Sequence, residues 1–265
     1  MSILEQEPGL IEALKGEMTP KFLATRNSEG APNVVPVIST LPADDKPDTL
    51  FFGNFLLRKT IQNLEQDRRV GILVITPQLH GWMLKGDFEE FQQTGTYVDQ
   101  QMRSSLLRYN AYTGIRNAGV IHVRSMRGAF RISKLLVLKD YLLARLAGVG
   151  GAAPDRGGAT IPLPVREEFK KMAAVKVLCW VGEDGYPVVV PALSLQPAGA
   201  RSLICWKGRQ LPEPPQGVPV AANILTAEAV SYQVKGRWAG GGRTGTIETH
   251  EFYAGGPPIP GGPLT

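Results

Sequence analysis

The stretch "EALKGEMTPKFLATRNSEGAPNVVPV", residues 12–37, returns as "EEFKKMAAVKVLCWVGEDGYPVVVPA" at residues 167–192. The two align without a gap at an offset of 155, with nine identities in twenty-six positions, among them Lys21/Lys176, Gly30/Gly185, Pro32/Pro187 and Pro36/Pro191. Further along, "GWMLKGDF" (81–88) pairs with "SYQVKGRW" (231–238) through Lys85/Lys235 and Gly86/Gly236, now at an offset of 150. The chain therefore reads as two similar units in tandem. The Gly- and Pro-rich run "AGVGGAAPDRGGATIPLP" (147–164) has neither a helical nor a strand period and reads as the linker. It sets a boundary near residue 155 and divides the chain into units 1–150 and 151–265.

Each unit has the same local grammar. A short helix ("LIEALKGE", "VREEFKKMA") precedes a β-hairpin whose turn is "NSEGAP" or "GEDGYP". Gly30 and Gly185 are available there for a positive φ. A third strand follows ("TLFFGN", "SLICWK"), and in unit one a helix at 56–67, then the strand "RVGILVIT" and the longer strand "GWMLKGDFEEFQQTG". Unit one closes with an amphipathic helix ("YVDQQMRSSLLRYNAY"), a β-rich stretch ("AGVIHVRSMRGAFRIS") and a helix over "KLLVLKDYLLARLAG". "GGGRTG" (240–245) reads as a turn between strands, and "HEFYAGGPPIPGGPLT" (250–265) as an extended tail. Antiparallel strands with a few helices at their ends predict a mainly β fold with some α, two small barrels in tandem.

Bulk properties narrow the function classes. A hydrophobic fraction of 43% and a charged fraction of 20% are those of a globular chain. The net charge of +5 suits an anionic ligand but is modest for a nucleic-acid binder. The start "MSILEQEPGL" lacks the basic and apolar runs of a secretory signal. No apolar stretch reaches the roughly 18 residues of a membrane span, so no membrane partner is expected. Cys179 and Cys205, each within an apolar run, read as buried free thiols, and a cytoplasmic location is the expectation. His80, His122 and His250 are scattered without ligand spacing, so no metal site is expected.

The helix "LLRKTIQNLEQD" (56–67) carries its charges in the unfavourable order, Arg58 and Lys59 first, Glu65 and Asp67 last. A helix dipole favours the reverse. A bound anion resolves the conflict, because free N–H groups at a helix start form an anion site and nearby cations add charge-assisted bonds. The hydroxyl of Thr60 adds a donor. Unit two replaces this helix with "GRQLPEPPQGVPV" (208–220), where prolines remove donors and cannot continue a helix.

The ordered set "FLATRNSEGAPNVVPV", "LFFGNFLLRKTIQNLEQDRRVGILV" and "GWMLKGDFE" resembles the FMN-binding split-barrel family of pyridoxamine 5′-phosphate oxidase-like flavoproteins. The resemblance covers most of residues 10–130 and recurs more weakly over 165–250. It implies two tandem antiparallel split β-barrels with short flanking helices, each of the family's six-stranded type, the second copy degenerate. It implies FMN as cofactor, with the phosphate at Arg58, Lys59 and Thr60. The ring system would lie along Pro36, Val37, Ile38 and Ser39, near Phe52 and Gly53, and near the strand carrying Trp82 and Lys85. Lys85 would face the pyrimidine edge, where a cation stabilises negative charge on the reduced ring; Lys235 reads as structural. One flavin per chain is expected, with unit two standing in for the second subunit of a dimer or serving as scaffold. A further homodimer is a second arrangement.

The resemblance implies oxidation–reduction of a small molecule, with a small-molecule electron donor or acceptor as partner, and no residue identifies itself as catalytic. A non-catalytic flavin-binding, electron-relay or redox-sensing module is the alternative, as is a split barrel holding deazaflavin or haem; haem would need an axial ligand such as His122 or His250. Pyridoxamine phosphate oxidation itself is disfavoured, because the tail lacks that enzyme's substrate-binding Arg and His. Two features stay unassigned. Trp180, Trp206 and Trp238 crowd unit two and read as core filling. Residues 103–145 hold nine basic residues against Asp140 alone, a surface for a second anion, a solvated face or, less favoured, a nucleic-acid contact.

Overall fold

The computed structural model describes residues 2–55, 57–104, 115–149, 157–208 and 211–255. The second half of the predicted helix at 97–112, the linker at 150–156 with the boundary near 155, and the tail from 256 onward lie outside the described residues.

The first sheet contains β1 (Lys21–Arg26), β2 (Pro32–Pro36), β3 (Leu41–Pro42), β4 (Thr49–Gly53), β5 (Arg69–Ile75), β6 (His80–Gln92) and β7 (Ala118–Arg131), in the order β2-β1-β5-β6-β7-β4-β3. The second contains β8 (Val175–Val181), β9 (Pro187–Pro191), β10 (Gln196–Pro197), β11 (Ser202–Trp206), β12 (Pro219–Leu225), β13 (Ser231–Gly241) and β14 (Thr244–Ala254). Its order, β9-β8-β12-β13-β14-β11-β10, is the first order moved along by seven strands, and every pairing is antiparallel. These are two tandem antiparallel split barrels. Each has seven strands rather than six, because a two-residue strand, β3 or β10, adds itself at one edge. The tail reading is corrected in part: His250–Ala254 belongs to β14, which runs between β11 and β13.

The repeated sequence features have local causes. Gly30 and Gly185 close equivalent hairpin turns at φ 80° and 79°, a region that favours glycine. The Lys-Gly pairs mark a register shift at the same place in both sheets, between Lys85 and Gly86 and between Lys235 and Gly236. A Cβ at Gly86 would meet the His122 carbonyl at 2.7 Å, and one at Gly236 the Glu248 carbonyl at 1.9 Å. The bulge therefore requires glycine, and it sets the aim of the lysine before it.

Alternation along the first sheet divides its side chains between two cores. Leu23, Val70, Ile72, Val74, Trp82 and Leu84 pack inside the first barrel. Phe22, Ala24, Val34, Leu73, Ile75 and Met83 join a larger core with residues of the second barrel. Both faces of β5 are therefore covered, which is why "RVGILVI" is apolar nearly throughout. The contact between barrels is reciprocal: β2 lies on β12 and β13, and β9 on β5 and β6. At the closest approach a Cβ on Gly71 of β5 would come within 2.2 Å of the Pro187 carbonyl of β9.

Among the described residues five helices flank the sheets: α1 (Leu10–Lys15), α2 (Arg58–Gln66), α3 (Thr96–Arg103), α4 (Lys134–Val149) and α5 (Leu163–Phe169). Helices α4 and α5 narrow the predicted linker from both sides. Helix α4 packs on β10 and β11 of the second sheet. No helix is described between β11 and β12, so α2 has no counterpart among the described residues. Cys179 and Cys205 are buried free thiols, and Trp180 and Trp238 fill the core.

Candidate functional site

Helix α2 begins without a side-chain cap, and its first turn carries no acid. The residues of that turn line a cleft between the two barrels. One wall comes from the first barrel: Asn33, Val35 and Pro36 of β2, with Leu57, Arg58, Lys59 and Thr60. The other comes from the second: Asn223 of β12, Gln233 of β13, and Tyr253, Ala254 and Gly255 at the end of β14. The cleft is narrow, with a cavity volume of about 80 Å³, below the usual range of small-molecule sites, and it opens toward solvent.

The cleft is cationic at one end. Lys59 Nζ lies 3.4 Å from the centroid of the Tyr253 ring, and Lys235 Nζ 5.8 Å from the same centroid. Burial, and then the nearby Lys235 charge, push the Lys59 ammonium down to about 8, while Glu251 opposes the shift. Burial lowers Lys235 as well, with Glu251 again opposing. The Tyr253 hydroxyl donates to Glu251. Lys59, in the cleft wall and losing hydration, is a cation whose charged form an added anion would favour.

Buried amides line the rest. Asn33 Nδ2 donates to Thr60 Oγ1 at 3.3 Å, which ties β2 to the start of α2. Gln233 Nε2 reaches across the barrels to the Val34 carbonyl at 2.6 Å. Gln233 Oε1 is buried and has no hydrogen-bond partner. An orphaned acceptor in a cleft wall is costly unless a ligand donor meets it.

The reversed charge order of α2 is settled at its C-terminal end. Asp67, just past the last turn, accepts from Arg69 Nε at 3.0 Å and Nη2 at 2.7 Å, and pairs with Arg26 Nε at 3.1 Å. Arg69 above all, with Arg26, holds the Asp67 carboxyl below its usual range. The acid is thus neutralised where the dipole would repel it. Arg26 also donates to the Gly185 carbonyl at 3.3 Å, joining the helix end to the second barrel.

The residues singled out from the sequence fall in different places. Pro36, Arg58, Lys59 and Thr60 line the cleft. Val37, Phe52 and Trp82 do not; they are buried in the first barrel's core. Ser39 and Gly53 clamp one another, the Gly53 N–H donating to Ser39 Oγ at 3.1 Å, and the Ile38 carbonyl accepts from Lys21. Lys85 turns away to Asp184, bridging the barrels elsewhere. Lys235, read from sequence as structural, does not line the cleft, though its charge is felt at Lys59. Asn33, Gln233 and Tyr253 carried no sequence signal of a site. Only the Lys85/Lys235 correspondence pointed to the right strand of unit two. Among the described residues no group of His, Cys, Asp and Glu is arranged to hold a metal.

Fold and cleft define a class: a duplicated split barrel whose two copies meet at a narrow cleft with lysine at one end. No protein-family model matches the sequence, and no curated protein matches it. Among solved structures the chain is similar to an FMN-binding protein from Syntrophomonas wolfei subsp. wolfei, at 17% identity and a TM-score of 0.40, over 50% of this chain and 88% of that one. It is also similar to an F420 reductase, at 20% identity and a TM-score of 0.35, over 44% and 94% of the two chains. HutZ, the haem storage protein from Vibrio cholerae, matches at 17% identity and a TM-score of 0.36, over 49% and 94%.

Proposed function

We propose that the inter-barrel cleft holds FMN, one per chain, and that the protein carries out flavin-dependent oxidation–reduction of a small molecule. The observation that carries the reading is the uncapped, acid-free start of α2 beside Lys59. Free N–H groups at a helix start, the Thr60 hydroxyl and the Lys59 ammonium suit a phosphate dianion. Arg58, exposed at the mouth, screens the same charge.

The ring system would lie between Val35 and Pro36 on one side and Tyr253 on the other, an aromatic face suited to stacking. The orphaned Gln233 oxygen would accept from a ring N–H. Bound flavin supplies hydride and single-electron chemistry; the chain's residues bind, orient and shield it. Units 1–150 and 151–265 contribute unequally, the first giving the phosphate seat and the second one wall. Neither His122 nor His250 lines this cleft, so the residues present fit a flavin better than haem.

Reconstitution with FMN followed by gel filtration tests the reading. The expected result is a flavin absorption spectrum at one flavin per chain. Lys59→Ala and Thr60→Ala should each weaken retention about tenfold or more, as loss of a charge-assisted bond implies, while Lys85→Ala leaves it unchanged. A ratio of two, or equal losses in all three variants, overturns the site. Reduction of bound FMN by a nicotinamide donor and reoxidation by an organic acceptor separates an enzyme from a flavin-binding module.

A further inference from the structure

Because the barrels pack reciprocally, the cleft at α2 has a repeat-related counterpart on the other side of the contact. Cross-strand registers fix the correspondence. Thr25 pairs with Asn33 as Trp180 pairs with Val188. Met83 faces Arg127 in the first sheet as Gln233 faces Tyr253 in the second. Asn33, Gln233 and Tyr253 line the first cleft, and Val188, Met83 and Arg127 line the second.

The two clefts differ in size and in chemistry. The second measures about 330 Å³ against about 80 Å³ for the first, which brings it within the range of small-molecule sites. Lys59 stands six residues past Gly53, the end of β4, and Pro212 stands six past Trp206, the end of β11. Pro212 lines the second cleft where the start of α2 lines the first. Proline has no N–H to donate, and no helix is described there, so the proposed phosphate seat has no equivalent among the described residues. Where the first cleft has the amides of Asn33 and Gln233, the second has Val188 and Met83, and Met126 of β7 adds another thioether.

The charged residues of this wall are Lys85 and Arg127, and no acid is among them. Lys85 precedes the bulge at Gly86, pairs with Asp184 at the tip of the opposing hairpin, and lies 5.8 Å from the Tyr186 ring centroid. Its ammonium is thereby held in place, with further N–H donors beyond the one that Asp184 accepts. Arg127, exposed on β7, belongs to the basic run at residues 103–145 that reads as a surface for a second anion. An apolar hollow with cations on its wall fits a small organic anion. Thioether sulfurs make favourable contacts with aromatic rings, so Met83 and Met126 favour an aryl body.

We infer that the second inter-barrel cleft binds a small aryl carboxylate, its ring against Val188, Met83 and Met126 and its carboxylate accepting from Lys85 in a charge-assisted bond.

Calorimetry of the full chain with naphthoate, and with naphthylmethanol as its neutral analogue, tests the site. Naphthoate is expected to bind one per chain, and the alcohol at least tenfold more weakly. Lys85→Met keeps the aliphatic stem and removes the charge. It should weaken naphthoate at least tenfold and leave the alcohol unchanged. Val188→Trp fills the hollow and should abolish binding of both. Lys85 and Val188 are half-buried, so both variants should keep the parent's circular dichroism and melting temperature. Should Val188→Trp melt early, the comparison of acid with alcohol on Lys85→Met decides alone. No binding of naphthoate, equal binding of acid and alcohol, or indifference to Lys85→Met overturns the proposal. So does displacement of naphthoate by FMN, because the ring would then occupy the flavin cleft. The two clefts share no lining residue, so failure of this site leaves the flavin reading standing, and absence of FMN binding leaves this site standing.

Discussion

Lys59 concentrates the electrostatics of the cleft. Its folded value of about 8 lies below the ordinary 10.5 of an exposed lysine. Between these values the unfolded chain holds more protons than the folded one, so ligand-free stability rises with pH across that window. Below 8 both states are protonated and the destabilisation is fully present. A bound dianion favours the proton on Lys59. Flavin affinity should therefore fall as pH climbs through 8, and binding near pH 8 should take up protons. Calorimetry in buffers of different ionisation enthalpy reads that uptake; none, with pH-independent affinity, would remove Lys59 from the phosphate seat.

Lys176 shows the same physics without a ligand. Its repeat partner Lys21 donates to the Gly16 and Ile38 carbonyls at 3.0 Å each. Lys176 Nζ has no hydrogen-bond partner, lies 5.2 Å from the Tyr141 ring centroid, and is pushed by burial to about 7. Lys176→Met should stabilise the protein at pH 7 by roughly 1–3 kcal/mol, the scale of an unmet buried polar group. It should also flatten the stability gain otherwise seen between pH 7 and 10.5. Urea midpoints at pH 6 and pH 9 decide it: a destabilised variant at both would mean the amine has an unseen role.

At the scale of elements, α2 and the two Lys-Gly bulges are where the units diverge and agree. The bulges are retained in both because a barrel strand must bend there, and only glycine fits against the opposing carbonyl. Gly236→Ala should cost about 2 kcal/mol or more, since its Cβ would lie 1.9 Å from the Glu248 carbonyl and the backbone must yield. A thermal melt unchanged from the parent would contradict the bulge. Helix α2, by contrast, has no counterpart between β11 and β12 among the described residues, and the sheet order around it is unchanged. In the proposed reading its role is local, the seat of an anion, with Asp67 held by Arg69 and Arg26.

The whole molecule is one body assembled from two copies. Each first hairpin lies on the other barrel's central strands, and a shared apolar core runs through the contact. A single cooperative unfolding transition is expected. Gly71→Leu, which thrusts a side chain into the Pro187 carbonyl, should split that transition or lower its midpoint sharply. Because the cleft spans both barrels, Gln233→Leu in the second should weaken FMN bound at α2 in the first by about tenfold, the magnitude of one lost hydrogen bond to a buried group. Equilibrium dialysis measures this; undiminished affinity would place the ring system elsewhere.

The sequence by itself determined the duplication, the barrel class, the turn glycines, the buried thiols and the anomalous helix. Each of these is written locally, in a strand period, a turn residue or a charge set against a dipole. It did not say that Phe52 and Trp82 lie in the first barrel's core or that Lys85 pairs with Asp184, because alternation says that a residue is buried without saying in which of two cores. It gave no hint of Gln233 or Tyr253, whose importance lies in facing α2 from more than 170 residues away in the chain. Only the packing of one barrel on the other decided that, since the physics that joins them is contact between surfaces, and no periodicity in either copy encodes its partner.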